Sequence, residues 1–268
     1  MELIKINNIT KVFNEENNAE RVILKNVNIT INKGEFVSLL GPSGCGKTTL
    51  LTMIGGFTKP TSGEILLEGR KVTKPSSERG YVFQNYALFP WMTVKKNVEY
   101  ALKFSKLKQE EKNKKLDELL GMAHLKGHED KFPIQLSGGM QQRVAVARAL
   151  AGSPRVLLLD EPLGAIDFQM RELMQNELDE MVQKAHITTV MVTHDVSESV
   201  FMSDRVIVIG SNQGHIVADM KIKLDRKRNR ESKEFEEYVY KLTNLVRDAF
   251  NERKHNVDDI ESDIVENV

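Results

Sequence analysis

Apolar and polar positions along the chain follow two periods, one typical of strands and one typical of helices. The first two apolar stretches, IKINNIT and VILKNVNITI, predict strands of an N-terminal antiparallel sheet. EFVSLLG is a short continuous apolar stretch and predicts a buried strand that leads directly into a glycine-rich loop. The N-terminal region is therefore expected to be rich in β-structure.

Helical and strand patterns alternate after that loop. KTTLLTMIGG predicts a helix ended by its glycine pair, and EILLEGRKV predicts a hairpin whose turn holds Glu68 and Gly69. Such an alternation predicts an α/β fold with a mostly parallel core sheet covered on both faces. The strands of the second half are predicted at VLLLD, TTVMVT, RVIVIG and HIVADM.

The segment of about residues 93–140 lacks strand character and is interpreted as a helical subdomain inserted in a domain of residues 1–224. Its apolar residues repeat with helical spacing in two places, which predicts two amphipathic helices. The residues on these stripes are Val94, Val98, Ala101 and Leu102, and then Leu116, Leu119 and Leu120.

Residues 225–268 are predicted to be a charged helical extension with an acidic tail. Phe235, Leu242 and Val246 share one helical stripe, so the helix is expected to pack on its own core or on a second copy. The acidic end, DDIESDIVENV, is expected to be loose. Deletion after about Asp225 is therefore expected to leave the basal activity of the core largely intact.

Composition narrows the class of protein. The chain has 38 Lys+Arg and 38 Asp+Glu in 268 residues, so it lacks the basic excess typical of proteins that coat DNA or RNA. The single cysteine, Cys45, allows no disulfide framework and fits a reducing compartment. Neither a signal peptide nor a membrane-spanning apolar run is evident, which predicts a cytosolic chain that contacts a membrane only through a partner.

The glycine-rich loop GPSGCGKTT fits the pattern G-x-x-x-x-G-K-[ST] in full. Its backbone N–H groups can turn inward around phosphate oxygens, and the helix that begins at Lys47 adds its positive N-terminal dipole. Lys47 can reach the β- and γ-phosphates, and the Thr48 hydroxyl can ligate Mg²⁺. The other residues predicted to line this nucleotide site are Gly41, Pro42, Ser43, Gly44, Cys45, Gly46 and Thr49.

Two adjacent acidic residues, Asp160 and Glu161, end the apolar stretch VLLLDE. Ligands of open α/β sheets bind at the carboxyl ends of the strands, which is where Asp160 is expected. Asp160 is predicted to hold Mg²⁺ through water, and Glu161 is predicted to polarise the water that attacks the phosphate.

A second glycine-rich loop, LSGGMQQR, precedes a strongly helical stretch. Ser137 can cap that helix, and Gly138 and Gly139 expose its N-terminal N–H groups, so this loop is a second predicted anion site. One chain hardly needs two such sites for one γ-phosphate, whereas two copies placed head to tail would use both. The pattern therefore predicts a homodimer that sandwiches nucleotide between the first loop of one copy and the second loop of the other.

These loops, in this order, resemble those of the ATP-binding subunits of ABC transporters, over about Leu3 to Met220. GPSGCGKT is similar to the Walker A motif of that family, and SGGMQ, which includes Gln141, is similar to its signature motif. The resemblance implies a P-loop ABC ATPase fold that hydrolyses ATP to ADP and phosphate with ATP and Mg²⁺ bound.

Further residues match motifs of the same family. Gln84, in VFQN, matches the Q-loop glutamine, which ligates Mg²⁺ and senses the membrane partner, and Asp160 and Glu161 match Walker B and its catalytic carboxylate. Asp167, in LGAID, resembles the D-loop at the dimer seam, and His194, in VTHD, matches the switch histidine that contacts the γ-phosphate. The resemblance thus implies the catalytic residues Lys47, Glu161 and His194 and the metal ligands Thr48, Gln84 and Asp160.

The sequence departs from the family pattern at two positions. Phe13 stands where a tyrosine often stacks on adenine, and phenylalanine keeps the aromatic face. A simple core role for Phe13 is the alternative. Ile166 stands in the D-loop where leucine is more usual, a volume-conserving swap expected to have little effect.

The loop after Gln84, NYALFPWMTVKKNV, carries aromatic residues between the core and the helical subdomain. Exposed aromatic side chains there predict a docking groove for a helix of an integral membrane permease. The alternative is that they only hold the subdomain in place. The residues concerned are Tyr86, Leu88, Phe89 and Trp91.

FPWMTV and DVSESVFMSDRVIVI also look like the nitrate/sulfonate/taurine branch of ABC importers. That resemblance implies uptake of a small oxyanion-type solute, with permease subunits and a separate solute-binding protein as partners, at the cytoplasmic face of the membrane. An ATPase subunit of an exporter or of a lipid-transport complex would carry the same core motifs. A soluble ABC ATPase is the other alternative, although the translation type has two such domains per chain and the DNA-maintenance type has a long coiled coil.

Overall fold

The computed structural model describes the backbone of residues 1–14, 20–164 and 168–265, with side chains for these ranges apart from 168–169 and 251–265. The helices and strands occur along the chain in the order β1 (Glu2–Asn14), β2 (Glu20–Asn32), β3 (Phe36–Leu40), α1 (Lys47–Gly55), β4 (Ser62–Leu67), β5 (Arg70–Lys71), β6 (Arg79–Val82), α2 (Val94–Leu102), α3 (Gln109–Met122), α4 (Gly138–Ala151), β7 (Val156–Asp160), α5 (Phe168–Ala185), β8 (Thr188–Thr193), α6 (Val196–Met202), β9 (Arg205–Ile209), β10 (Ile216–Lys221) and α7 (Lys233–Val265). A short 3-10 helix, Pro133–Gln135, precedes α4.

These elements belong to two compact units. The first unit comprises Met1–Lys74 and Val192–Val268, and the second comprises Pro75–Met191. β8 carries the chain from the second unit back into the first. The first unit holds the glycine-rich loop, and the second holds the acidic pair and the second glycine loop.

The antiparallel sheet of the first unit has the strand order β2-β1-β4-β5. Its register pairs Ile4 with Ile31 and Ile6 with Ile29, and all four side chains are buried. Cross-strand pairs of this kind fix the register, because a slip of one residue would turn every apolar side chain to the opposite face. The predicted N-terminal sheet and the predicted β4–β5 hairpin are both confirmed.

β3 of the first unit is buried along its whole length and pairs in parallel with β9, which pairs antiparallel with β10. A strand covered on both faces reads as a continuous apolar run, which is why FVSLL shows no alternation. Helix α1 ends where the glycine pair predicted, and Gly56 adopts the left-handed conformation that closes helices.

Helix α7 completes the first unit by packing against α6, β9 and β10. Phe235 and Leu242 are buried and Val246 is half-buried, so the predicted stripe faces the chain's own core. The acidic end was expected to be loose, but helix α7 continues to Val265. Extending an existing helix needs no new nucleus, which favours this continuation. Although α7 has 33 residues, no helix within the described ranges is both long and apolar enough to cross a membrane.

In the second unit, β6 pairs in parallel with β7, with Tyr81 opposite Leu158. Helix α4 packs against β6, α2 and α3. Both predicted amphipathic helices form, as α2 and α3, and the Thr93 side chain caps α2 by accepting from the N–H of Lys96. β6 was not predicted, because four residues, RGYV, give too short a pattern.

Candidate nucleotide site

In the first unit, the glycine-rich loop joins β3 to α1. The ammonium of Lys47, the first residue of α1, donates to the carbonyl oxygens of Gly41 and Pro42, each at 2.8 Å. The Lys47 side chain is buried, and a buried charge is tolerated only where hydrogen bonds replace its water. The loop therefore holds one positive charge in a fixed place.

Gly41 stands where the backbone of β9 comes close to the loop. A Cβ at this position would overlap the carbonyl oxygen of Ile209 and lie 3.0 Å from Sγ of Cys45. Any side chain would thus separate the loop from the end of β9. Glycine is required here by packing, in addition to its role in shaping the loop.

The outer side of the loop is polar and open. Gly46 adopts a left-handed conformation, φ 99°, as the N-cap of α1. The first N–H groups of α1 have no partner within the helix, so they can bind an anion next to the Lys47 ammonium. The loop residues that are exposed or half-buried are Pro42, Ser43, Gly44, Thr48 and Thr49.

Cys45, by contrast, is buried within this loop. Burial raises the pKa of its thiol, and the nearby Lys47 charge opposes that shift without cancelling it. A neutral buried thiol is a poor nucleophile. The geometry favours Cys45 as a small packing residue.

In the second unit, Asp160 ends β7 and is nearly buried. The hydroxyl of Tyr81, on the neighbouring β6, donates to its Oδ2 at 3.1 Å. Burial, together with the charge of Asp160, raises the pKa of Tyr81, so the phenol remains a hydrogen-bond donor. Tyr81 thereby orients the carboxylate; it was not predicted from the sequence.

Glu161 follows in a left-handed backbone conformation, φ 44°. A non-glycine residue in that region is strained, and such strain clusters at functional sites. The side-chain amide of Gln84 donates to Oε2 of Glu161 at 3.4 Å. Two residues predicted to belong to one site, 77 positions apart, are thus adjacent in this unit.

The second glycine loop begins helix α4 as predicted. Oγ of Ser137 accepts from the N–H of Met140 at 3.3 Å, and Ser137 and Gly138 are exposed. Gln141, a predicted nucleotide contact, donates its amide to the carbonyl oxygens of Pro133 and Leu136 at 3.1 and 3.3 Å. In this structure the Gln141 amide holds the loop against the start of α4.

Gly139 has a packing role that its sequence pattern does not reveal. A Cβ there would overlap Sδ of Met174 on α5. Met174 and Leu163 form a small buried apolar cluster beside the loop. The absence of a side chain at Gly139 therefore lets α4 and α5 approach closely.

His194 of the first unit is exposed, immediately after β8. The residues on either side of it are tied together, because the N–H of Asp195 donates to Oγ1 of Thr193 at 3.0 Å. Asp195 also caps α6, accepting from the N–H of Glu198 at 2.9 Å. The His194 backbone is consequently held between the end of β8 and the start of α6.

Phe13 and Asp167 are the remaining predicted ligands. Phe13 is 43% exposed, and the Lys11 ammonium lies 4.6 Å from the centre of its ring. An exposed ring is available for stacking, so the core alternative is not supported. Asp167, with Ile166, lies outside the described residues.

The aromatic segment after Gln84 divides into buried and exposed parts. Tyr86 is buried, which corrects the expectation that it belongs to an exposed groove, whereas Trp91 is 70% exposed. The Phe89 ring is tilted against Trp91, with centroids 5.6 Å apart, and meets Tyr100 edge to face at 4.8 Å. Tyr100 in turn meets Phe104 edge to face at 5.5 Å. We call Trp91, Phe89, Tyr100 and Phe104 the aromatic row.

Arg148 of α4 fixes the inner side of this segment. Its guanidinium donates to the carbonyl oxygens of Tyr86 and Ala87, at 2.9 and 2.8 Å, and lies 5.3 Å from the centre of the Phe89 ring. Tyr86 and Ala87 both have positive φ, at 61° and 44°. The strained turn is stabilised by one side chain from α4.

The residues predicted to hold Mg²⁺ offer oxygen ligands, a hydroxyl at Thr48, an amide at Gln84 and a carboxylate at Asp160. Hard oxygen ligands of this kind suit Mg²⁺, which commonly binds through one or two protein groups, phosphate oxygens and water. Within the described part of the chain, no group of three or more His, Cys, Asp or Glu side chains could hold a metal by itself. Each of the three side chains by itself therefore has the chemistry of a Mg²⁺ ligand.

Comparison with known proteins places these features in a family. A family model described as "ABC transporter" matches residues 24–164, more than half of the chain. The chain belongs to the ABC transporter family and is one of its ATP-binding subunits, as the order of its motifs predicted.

Three curated relatives illustrate the similarity. The uncharacterized ABC transporter ATP-binding protein MJ0412 of Methanocaldococcus jannaschii is 47% identical, over 91% of this chain and 91% of its own length. The nitrate import ATP-binding protein NrtD of Synechocystis sp. is 42% identical, over 91% of this chain and 95% of its own length. The spermidine/putrescine import ATP-binding protein PotA of Thermotoga maritima is 48% identical, over 80% of this chain and 57% of its own length.

A similar solved structure captures the state after ATP hydrolysis. The dimeric post-hydrolysis state of the ATP-binding cassette MJ0796, bound to ADP and Pi, is 36% identical with a TM-score of 0.71, covering 83% of this chain and 100% of that chain. The predicted fold is confirmed as that of the ABC ATPase cassette. The protein is accordingly an ATP-binding ABC-type ATPase.

Proposed function

We propose that this ATPase powers the import of a small oxyanion-type solute, such as nitrate, a sulfonate or taurine, through a membrane permease. The observation that supports the transport role is the aromatic row, which begins at Phe89, five residues after Gln84, and is exposed at Trp91. Import is supported by relatives whose names describe import proteins. The oxyanion class is supported by NrtD and by the FPWMTV segment.

For ATP binding, we assign the phosphates to the loop of Gly41 to Thr49. The fixed ammonium of Lys47 and the first N–H groups of α1 supply the positive field that a triphosphate needs. The exposed ring of Phe13 supplies the face on which adenine stacks. Thr48, Gln84 and Asp160 would hold Mg²⁺, which neutralises phosphate charge when bound.

For hydrolysis, we assign proton acceptance to Glu161. Its carboxylate follows β7 directly, and its strained backbone, fixed by the fold, presents the side chain in one direction. Gln84 donates to that carboxylate and is placed to orient it. His194 contacts the γ-phosphate in this proposal, from a backbone tied at both neighbours.

Two copies are proposed to close on two ATP molecules, with Ser137, Gly138 and Gly139 of each copy serving the nucleotide of the other. The N-terminus of α4 supports this role, since Ser137 and Gly138 are both exposed there. The dimeric structure of the MJ0796 cassette with ADP and Pi supports the formation of a dimer. Asp167 is assigned to the seam between copies on its motif alone.

The permease is proposed to dock on the aromatic row. Large aromatic side chains exposed together are uncommon on a surface that meets only water, and they are enriched where partners bind. Because Arg148 holds the adjoining turn, a helix pressed on Phe89 would act on the segment that follows Gln84. The subunit would thus lie at the cytoplasmic face of a membrane without crossing it.

Replacement of Trp91 by glutamate tests this proposal. Trp91→Glu is expected to abolish permease binding and uptake in reconstituted vesicles. Hydrolysis by the isolated subunit is expected to stay within about twofold, because Trp91 is 70% exposed and its ring meets Phe89 of the same loop. Tyr240→Glu is the matched control, since Tyr240 is as exposed as Trp91, at 70%, but lies on α7. Loss of hydrolysis in isolated Trp91→Glu would assign Trp91 to the folded core and overturn the docking role.

The solute class is tested in the same vesicles with the cognate solute-binding protein. Nitrate, taurine and an alkanesulfonate are expected to stimulate ATP hydrolysis, and spermidine and putrescine are expected to have no effect. Stimulation by the polyamines alone would overturn the oxyanion assignment and place the protein with the PotA relatives instead.

A further inference from the structure

Three arginines from the segment between β10 and α7 converge on the C-terminal end of helix α6. Arg228 is 7% exposed, and its Nη1 donates to the carbonyl oxygens of Val200 and Phe201. Arg226 donates through Nη1 to the carbonyl oxygen of Met202. The guanidinium of Arg230 lies 3.6 Å from the centre of the Phe201 ring.

Three of the last four carbonyl groups of α6 accept hydrogen bonds from these arginines. Such groups have no partner inside the helix, and they carry the negative end of its dipole. The Ser199 carbonyl accepts from the N–H of Ser203 at 3.2 Å, and the other three carbonyls accept from Arg226 and Arg228. Arginine side chains of the C-terminal segment therefore cap this helix, whereas many other helices end at a glycine.

Arg226 also connects the C-terminal end of α6 to β3, the strand before the glycine-rich loop. Its Nη2 donates to Oδ1 of Asp204 at 2.6 Å, and Oδ2 of Asp204 accepts from the N–H of Phe36 at 2.8 Å. Ser203 is hydrogen-bonded to Ser38 of β3. The C-terminal end of α6 is thus held by hydrogen bonds to the buried strand β3 as well as to the arginines.

The N-terminal end of α6 follows directly on Thr193, His194 and Asp195, which we call the His194 segment. Asp195 caps the helix and is bonded to Thr193, and the Thr193 hydroxyl is hydrogen-bonded to Glu198 in the first turn. With seven residues, α6 is about 10 Å long and too short to bend between its ends. A shift at its C-terminal end would therefore displace His194.

We propose that Arg226 and Arg228 are positioning residues of the ATPase, which hold α6 and through it the His194 segment in the geometry for hydrolysis. This inference rests on the proposed role of His194. It gives the C-terminal segment a part in turnover, in place of the dispensable extension that the sequence suggested. Neither arginine contacts the nucleotide in this proposal.

The test is a double-mutant cycle with the full-length chain. Arg228→Met keeps the length of the side chain and removes its donors, and His194→Ala removes the group to be positioned. Arg228→Met is expected to lower kcat at least tenfold with KM for ATP and Kd for ADP within about twofold, because a small displacement of a catalytic group costs up to about a hundredfold. In the His194→Ala background, Arg228→Met is expected to have no further effect on kcat, since both changes remove the same function.

Two controls separate positioning from folding. Arg228→Lys keeps the charge and is expected to recover part of the turnover that Arg228→Met loses. If Arg228→Met does not fold, Arg228→Lys replaces it in the double-mutant cycle with His194→Ala. Arg247→Met removes an α7 arginine that contacts Asn244 and is expected to leave kcat unchanged.

The outcomes are distinguishable. Losses in kcat that multiply in the double variant, or a lower melting temperature with unchanged kcat, would overturn the positioning role while leaving the proposed ATPase mechanism intact. Normal turnover by His194→Ala alone would overturn the proposed role of His194 itself.

Discussion

Removal of the C-terminal segment after Asp225 is expected to unfold the first unit rather than leave its activity intact. The deletion removes Phe235 and Leu242, which are 3% and 0% exposed, and both pack within the first unit. Truncation of a buried Phe costs about 3–5 kcal/mol and of a buried Leu about 2–5 kcal/mol. Their sum, about 5–10 kcal/mol, is comparable to the whole stability of a typical domain, about 5–15 kcal/mol.

The measurement is thermal and urea unfolding of three variants beside the intact chain. Leu242→Ala alone is expected to lower the melting temperature by about 4–20 °C, from its cost and a shift of about 2–4 °C per kcal/mol. Deletion after Phe250 keeps every α7 core residue that the structure describes, so it is expected to lower the melting temperature much less than deletion after Asp225. If deletion after Asp225 leaves the melting temperature and hydrolysis unchanged, the packing argument for α7 is refuted.

Three further predictions concern the nucleotide site. Glu161→Gln is expected to bind ATP normally and to hydrolyse it at least about a hundredfold more slowly, measured by single-turnover phosphate release, because the amide accepts no proton; normal turnover would remove Glu161 from the mechanism. Ser137→Arg is expected to impair hydrolysis while the monomer's ATP affinity stays within about twofold, and a large loss of monomer affinity would show that this loop acts in its own chain. Since the pKa of Cys45 is raised in the folded chain, stability is expected to fall as pH rises above the unfolded thiol's pKa of about 8.5, and urea titrations of Cys45→Ala should show a shallower fall.

Local pattern was sufficient to predict most of the fold. β3 and β7 are short apolar runs, and the stripes of α2 and α3 repeat with helical spacing, so each carries its own signal. The glycine-rich loop was equally predictable, because its residue types are contiguous and its chemistry is local. β6 was missed because four residues are too few to establish a period.

What could not be predicted depends on pairs of residues far apart in sequence. The bond from Tyr81 to Asp160 requires the parallel register of β6 and β7, and Met174 covers Gly139 only once α5 packs near α4. Tyr86 resembles its exposed neighbours in sequence, and its burial follows from the strained turn. Residues 225–230 were predicted as part of a charged helical extension, but they precede α7, and Arg228 is buried against the carbonyl groups of α6.

Helix α4 imposes a constraint on how this sequence can vary. It begins at the Ser137 cap, and near its other end Arg148 holds the carbonyls of Tyr86 and Ala87. Its 14 residues span about 20 Å, and inserting or deleting one of them would rotate one end relative to the other by about 100°. A change of a single residue in its length would therefore turn Arg148 away from the strained turn. The number of residues between the Ser137 cap and Arg148 is fixed by the need to place both ends of α4 at once.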